Sequence, residues 1–309
     1  FQAEDGIRDC LLSRGLGDVY KRQVQETIKE RKRKLISKNE EIIQLADTPM
    51  MQGLGHSKTA FNLFEAQIIP CLLNNAESWI GITNKQIKEL QEFQDIFTRK
   101  VLRLAPSTTK ALINWDIGMM PMKWRIASKK LQFMRKIMLK DHKNIAKDSL
   151  LQEFLLNIKG LAYECNKIAQ EIGLEDLMFN SYSKKDIKEA IKNAMKKEFL
   201  NEMQRSTKVN DRLSEDPDDN SYIYRMPLSK VRVWIRYRAR AIAGVKGNFR
   251  HSYVNNMDCR LCSEKSDETQ EHLQLCEGTR YERRGLDLGD GRGLLDFWRR
   301  MTKKMAAVT

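Results

Sequence analysis

Apolar residues recur every three or four positions through most of this chain and almost nowhere at every second position. That spacing gathers them on one face of a helix rather than one face of a strand. Residues 24–47 are polar, charged and helix-favouring, with KERKRK followed by NEEIIQLAD. KTAFNLFEAQIIPCLL is more apolar, and Pro70 within it predicts a kink or an end, because proline has no N–H to give the helix. Thr83 predicts an N-cap. It precedes a helix whose apolar positions are Ile87, Leu90, Phe97, Val101 and Leu104, stopped by Pro106. Pro121 is placed to start the next helix, where its missing N–H costs nothing. There Trp124, Ala127, Leu131, Met134 and Met138 share one face. Helical patterns continue over 145–158, 161–172 and 186–203, so the expected fold class is mainly α.

The pattern breaks at 211–221 (DRLSEDPDDNS), which is acidic, contains proline and reads as a linker. It separates a helical body at 24–210 from a C-terminal part at 222–309. In that part KVRVWIRYRARA alternates like a strand, yet Val231, Trp234, Ile235, Ala241, Ile242 and Val245 also fit one helical face. Pro227 and Ser229 as start signals, with Gly244 as stop, favour the helix.

The totals narrow the partners. The chain has 309 residues, with 55 Lys+Arg against 41 Asp+Glu, a net charge of +14. That excess points to a polyanion. No apolar run approaches the roughly 20 residues of a spanning helix, so no membrane span is expected. No motif for a small-molecule substrate stands out. Six cysteines are too few and too unevenly placed for a disulfide framework, which points to a reducing compartment, nuclear or cytoplasmic.

Three of those cysteines form C-x2-C-x9-H-x3-C with a histidine: Cys259, Cys262, His272 and Cys276. Two cysteines separated by two residues can aim both sulfurs at one ion. His272 and Cys276, at i and i+4, share a face of a helical turn. Three thiolates and an imidazole close a tetrahedral shell, the chemistry of a structural zinc with no open position for water. So short and polar a segment is expected to depend on the metal for folding. His251 is an alternative ligand, disfavoured by its distance from Cys259. Cys71 and Cys165 lie in apolar helical contexts and read as core.

Just before the site, residues 225–250 hold Arg225, Lys230, Arg232, Arg236, Arg238, Arg240, Lys246 and Arg250 with no acid among them. Guanidinium groups pair bidentately with phosphate, and Trp234 and Tyr237 are candidates for stacking on bases. Binding of RNA or DNA is expected, and it should be salt-sensitive. A second candidate stripe is Arg125, Lys129, Lys136 and Lys140, in a stretch from 122 to 140 that also lacks acids. Catalytic signals are weak. Asp218 and Asp219 have no apolar strand to hold them, and the LGDGRG run lacks the strand–helix frame of a phosphate loop. Asp287, Asp290 and Asp296 are the carboxylates a nuclease reading would use.

Three segments carry a family resemblance. FNLFEAQIIPCLLNNAESWIGI, IKELQEFQDIFTRKVLRL and DIGMMPMKWRIASKKLQFMRKI resemble the region after the polymerase palm in non-LTR (LINE-like) retrotransposon reverse transcriptases. Pro70, Glu77 and Trp79 match the P…E-x-W signature at the start of that family's thumb-like region. RYRARAIAGVKGNFR and the CRLC…HLQLC segment resemble its basic C-terminal segment and cysteine–histidine knuckle. The resemblance implies a thumb-like helical body, a zinc knuckle, nucleic-acid handling, and a parent RNA-directed DNA polymerase. The family's aspartate-pair box is absent, so no polymerase activity is expected of this chain. A zinc-stapled protein-interaction module is the alternative. Finally, residues 1–23 (FQAEDGIRDCLLSRGLGDVYKRQ) resemble a translated sequencing-library adapter and are expected to be disordered. Their four acids and four bases cancel, leaving the charge of the remainder at +14.

Overall fold

The structure is a computed structural model that describes residues 2–52, 57–105, 108, 110–141, 144–174, 182–205, 226–242, 244–246, 256–289 and 291–308. Side chains are described from Arg22 onward, apart from those at 51, 52, 57, 111, 115, 203 and 308. The expected linker at 211–221 lies outside these residues, as do His56, His142, Asp218, Asp219, Asp290 and His251. Among the described residues the chain is mainly helical, the one β feature being an isolated antiparallel bridge between Asp258 and Asp267.

The chain divides into two compact units that are not contiguous in sequence. The first comprises Phe1–Ile42, Asn62–Phe97 and Met119–Asn201, and the second Ile43–Phe61, Thr98–Gly118 and Glu202–Thr309. Two internal stretches therefore belong with the C-terminal part, where the linear reading put them in the body.

Helix α1 runs Gln2–Ala46. Its backbone is helical over residues 2–23, where disorder was expected. That segment has no proline to interrupt a helix. Short helices follow at Pro49–Gln52 (α2) and Ser57–Leu63 (α3). A π-helical turn at Phe64–Ile68 then leads into Ile69–Leu72 (α4), with Pro70 in its first turn. The wider turn lets the chain pass a residue that cannot donate.

Thr83 caps Asn84–Leu102 (α5) as expected. Its Oγ1 accepts from the Gln86 N–H at 3.3 Å and its own N–H donates to Gln86 Oε1 at 2.8 Å, a reciprocal capping box. Ser183 and Asp186 repeat the device at the start of α10 (Lys184–Gln204), slightly upstream of the expected start. Between them lie α6 (Lys110–Ile117), α7 (Met122–Met138), α8 (Ile145–Leu155) and α9 (Leu161–Glu171).

One core of the first unit is the predicted face of α7 (Trp124, Ala127, Leu131, Met134) closed by Leu150 of α8, Cys165 and Ala169 of α9, and Ile187 and Ile191 of α10. Lys130 is buried there. Its Nζ donates to the Trp79 carbonyl at 2.7 Å and pairs with Glu164. Burial pushes the Cys165 thiol up to about 12, which suits an inert core cysteine. Cys71, also expected in the core, is exposed.

The second unit is built on α11 (Leu228–Arg238), α12 (Gln270–Leu275), α13 (Arg280–Arg283) and α14 (Gly291–Val308). Its core joins Tyr237, Ile242 and Val245 to Leu273 and to Leu294, Phe297, Trp298, Met301 and Met305 of α14. The C-terminal tail is thus an amphipathic helix that supplies half of this core.

Candidate metal centre

Cys259 and Cys262 stand on a tight loop whose two ends are tied together: the Cys259 N–H donates to the Ser266 carbonyl at 2.9 Å and the Glu268 N–H to the Met257 carbonyl at 2.8 Å. His272 lies on α12. The helix is started by Thr269, whose Oγ1 accepts from the His272 N–H at 3.1 Å. Cys276 follows at its C-terminal end.

The three sulfurs and the imidazole nitrogen converge, all within 4.8 Å of one another. Cys259 Sγ and Cys276 Sγ are 3.8 Å apart, and Cys262 Sγ lies 3.3 Å from His272 Nε2. A tetrahedral ion with bonds of about 2.3 Å to sulfur and about 2.0 Å to nitrogen needs edges of about 3.8 Å and about 3.5 Å. The measured edges are close to both. The cluster can hold a metal ion, and the expected C-x2-C-x9-H-x3-C ligands are the four that meet. Among the described residues no second group of three or more such ligands converges.

Electrostatics fit the same reading. Burial is the main cause that pushes the Cys276 thiol up to about 12 and the Cys259 thiol above its ordinary value. Buried thiols so disposed are poor nucleophiles, whereas a cation among them would draw off their protons. The Leu261 N–H points at Cys259 Sγ at 3.5 Å, and the Gly278 N–H at the Cys276 thiol.

The loop is braced by residues that spacing alone does not reveal. Glu268 is fully buried. Its Oε2 accepts from the Arg260 N–H at 3.1 Å and Nε at 3.0 Å, and its Oε1 from Arg260 Nη2 at 2.8 Å and the Lys246 N–H at 3.2 Å. Burial opposes the Glu268 charge, and these donors outweigh it, so its carboxyl sits below the ordinary carboxylate range. Arg283 Nη2 donates to the Cys276 carbonyl at 2.8 Å. At Gly278 a Cβ would fall onto the Leu261 carbonyl oxygen, so the chain after Cys276 can pass the loop only as glycine. The loop and α12 also share a core with α11 and α14, through Cys259, Leu273 and Cys276. They are less dependent on metal for apolar contacts than their polar sequence suggests.

The acid-free basic run is placed quite differently from the cationic face expected of it. Arg232 is buried, its Nη2 on Asp47 Oδ1 at 2.6 Å and its Nε on the Val101 carbonyl at 2.8 Å. Burial works against the Asp47 charge, and Arg232 and Arg103 outweigh it, holding its carboxyl low. Arg238 is buried against Asp116. Arg236 donates to the Arg103 carbonyl at 2.7 Å, and burial lowers its pKa. Tyr237 is 2 % exposed and stacks on Trp298 with ring centres 5.3 Å apart, so it faces the core and not a base. Trp234 is partly buried against the same core. Lys230 pairs with Asp296 at 3.5 Å, Arg240 with Glu271 at 3.1 Å, and Lys246 donates to the Asp258 carbonyl at 2.8 Å. Arg225 and Arg250 lie outside the described residues. The described cations of the run meet acids or backbone carbonyls of other segments instead.

On α7 the second stripe divides. Arg125 forms a two-pronged pair with Glu65, and Lys129 lies 3.9 Å from Glu77, while Lys136 and Lys140 are exposed. Asp287 Oδ1 accepts from the Gly289 N–H at 2.8 Å, a turn contact, and Asp296 is engaged by Lys230. No helix among the described residues is long and apolar enough to cross a membrane. Comparison of the chain with family models, curated proteins and solved structures gives no match.

Proposed function

We propose that the cluster of Cys259, Cys262, His272 and Cys276 holds a structural zinc ion, and that the chain binds RNA or DNA as the C-terminal part of a non-LTR retrotransposon reverse transcriptase. The convergence of the four ligand atoms within 4.8 Å carries the zinc reading. Three thiolates with one imidazole are soft ligands that suit zinc, and a filled tetrahedron leaves no position for a reacting water. When bound, the ion cross-links the Cys259–Cys262 loop to α12. The chain's own residues would then present a cationic surface, consistent with its net charge of +14. The thumb-like and knuckle-like segments support the parentage, and in that reading this part grips a strand rather than doing chemistry.

The test joins two measurements on the purified full chain. Elemental analysis should give one zinc per chain, lost when Cys262 and Cys276 are both replaced by serine. A mobility-shift titration across salt should show nucleic-acid affinity falling steeply as salt rises. Affinity independent of salt, or absent at low salt, rules the reading out. The second reading, a zinc-stapled scaffold for a protein partner, draws on Ile145, Leu155 and Leu156 in the first unit, which are 84 %, 73 % and 69 % exposed. It expects polar substitutions there to abolish partner binding while nucleic-acid affinity is nil.

A further inference from the structure

We infer that single-stranded nucleic acid is held on the outward face of α14, by Arg292, Arg299 and Lys303, with the ring of Tyr281 stacking on a base. This rests on the nucleic-acid reading above and moves its contacts away from α11.

The direction of α14 is set by its core side. Leu294, Phe297, Trp298, Met301 and Met305 are all 0–3 % exposed. At 100° per residue, Arg292, Arg299 and Lys303 project from the opposite side, and all three are exposed. Along the axis they are separated by about 10 Å and about 6 Å, so neighbouring members lie roughly one Debye length apart at physiological salt and the row spans about 16 Å along one bound strand. Asp296 is the helix's only acid, and Lys230 engages it at 3.5 Å. The stripe therefore keeps its charge and its exposure, unlike the arginines of α11, of which Arg232 and Arg238 are buried against Asp47 and Asp116 and Arg236 is engaged by the Arg103 carbonyl.

Tyr281 is carried by α13, which is bonded to the flank of α14 beside that face. Arg300 Nη1 donates to the Glu282 and Arg284 carbonyls at 3.0 and 3.2 Å, and Lys304 Nζ reaches the Gly278 carbonyl at 2.7 Å and Glu282 Oε2 at 3.0 Å. Those bonds fix α13 beside α14. On α13, Tyr281 is 78 % exposed, between the exposed cations Arg280 and Arg284. No packing explains a large ring left in water there. Beside phosphate-binding cations it is a stacking platform for an unpaired base, and paired bases in a duplex do not offer their faces to it.

The experiment uses the full metal-loaded chain, fluorescent single strands of about 20 nucleotides as RNA and as DNA, the matching duplex, and anionic phospholipid vesicles. Variants are R292E/R299E/K303E, its charge-neutral counterpart R292Q/R299Q/K303Q, Y281A, and K184E/K188E, two exposed lysines of the first unit, as a control that should leave binding within about two-fold of wild type. Helicity and zinc content report folding. The α14 reversal should weaken single-strand binding at least about ten-fold and make the salt dependence shallower by about 2 in log–log slope. The glutamine triple should do the same in smaller measure. Y281A should cost about ten-fold on single strands and little on duplex. If the wild-type chain binds single strands but both triples bind equally well, this inference is overturned and the parent reading stands. Preference for duplex unaffected by Y281A overturns the stacking role, and binding of vesicles alone, or of nothing, overturns both.

Discussion

Arg238 Nη1 and Asp116 Oδ1 meet at 2.8 Å where the arginine side chain is 4 % exposed and the aspartate 0 %. Burial dominates the aspartate and pushes its carboxyl up to about 7 from its ordinary 3.8, with the Arg238 charge opposing that rise. A folded-state value above the unfolded one means stability that is full below pH 3.8 and is lost as pH rises through about 7. Asp116→Asn cannot ionise. Measured by urea unfolding from pH 4 to pH 8, the stability of the wild type should therefore fall relative to Asp116→Asn, by at most about 1.4 kcal/mol per pH unit. Parallel curves for the two proteins would mean that Asp116 is ionised throughout and the burial account is wrong.

Metal affinity should rise steeply with pH. Cys276 and Cys259 both have thiol values pushed upward by burial, so both are protonated at neutral pH until a cation arrives. Binding releases those two protons at least, so apparent affinity should climb about a hundred-fold or more per pH unit. Competition against a chromogenic chelator between pH 6.5 and pH 8 reads this directly. A flat profile would show that the thiols are already thiolates in the apo protein.

Removing the metal should loosen the knuckle without melting the unit it sits in. Tyr237, Leu273, Phe297, Trp298 and Met301 share one core, so α11 and α14 keep apolar partners when the ion is gone. Chelation is expected to speed amide exchange strongly across 256–279, with smaller changes in α11 and α14. Uniform loss of protection over 228–308 would restore the view that metal alone holds this segment together.

Much of this was legible in the sequence, and what was not shares a cause. The face of α7, the Thr83 cap and the four ligands are all properties of neighbours three to ten residues apart, which spacing displays. Arg232 and Arg238 were misplaced because their partners, Asp47 and Asp116, lie far away in the chain. A run of bases without an acid looks like a phosphate-binding face whether its counter-charge is a nucleic acid or the rest of the protein. Tyr237 was lost the same way, since its neighbour Trp298 belongs to a helix that reads as a tail. Glu268 had no signal at all: a single glutamate in a charged loop gives no hint that it will be fully buried and take four hydrogen bonds.

Gly278 has a signal that becomes clear only in three dimensions. A methyl group there would collide with the Leu261 backbone between two of the metal ligands, and backbone cannot move aside cheaply. Gly278→Ala should push the Cys259–Cys262 loop away from Cys276, weakening metal affinity at least about ten-fold and destabilising by about 2 kcal/mol or more. Gly291→Ala, where a Cβ meets nothing within 4 Å, is the matched control and should be neutral. Equal metal affinity in the two variants would remove Gly278 from the site.

The end of α11 makes the last prediction. The sequence reading ran the helix on to Gly244, but it stops at Arg238, and the chain reverses through Arg240 at φ 49°. The Ala241 N–H returns to the Arg236 carbonyl at 2.8 Å and the Arg240 N–H to the Tyr237 carbonyl at 3.1 Å, the two bonds of a Schellman closure. Glycine is the usual occupant of that left-handed position, and an L side chain there costs about 1 kcal/mol. What Arg240 returns is a half-exposed pair with Glu271, worth about 0–1 kcal/mol. Arg240→Gly removes both and should leave the melting temperature unchanged or slightly higher. Arg240→Ala keeps the backbone cost and loses the pair, so it should melt lowest of the three. If alanine proved at least as stable as glycine, the left-handed turn would not be the conformation that ends this helix.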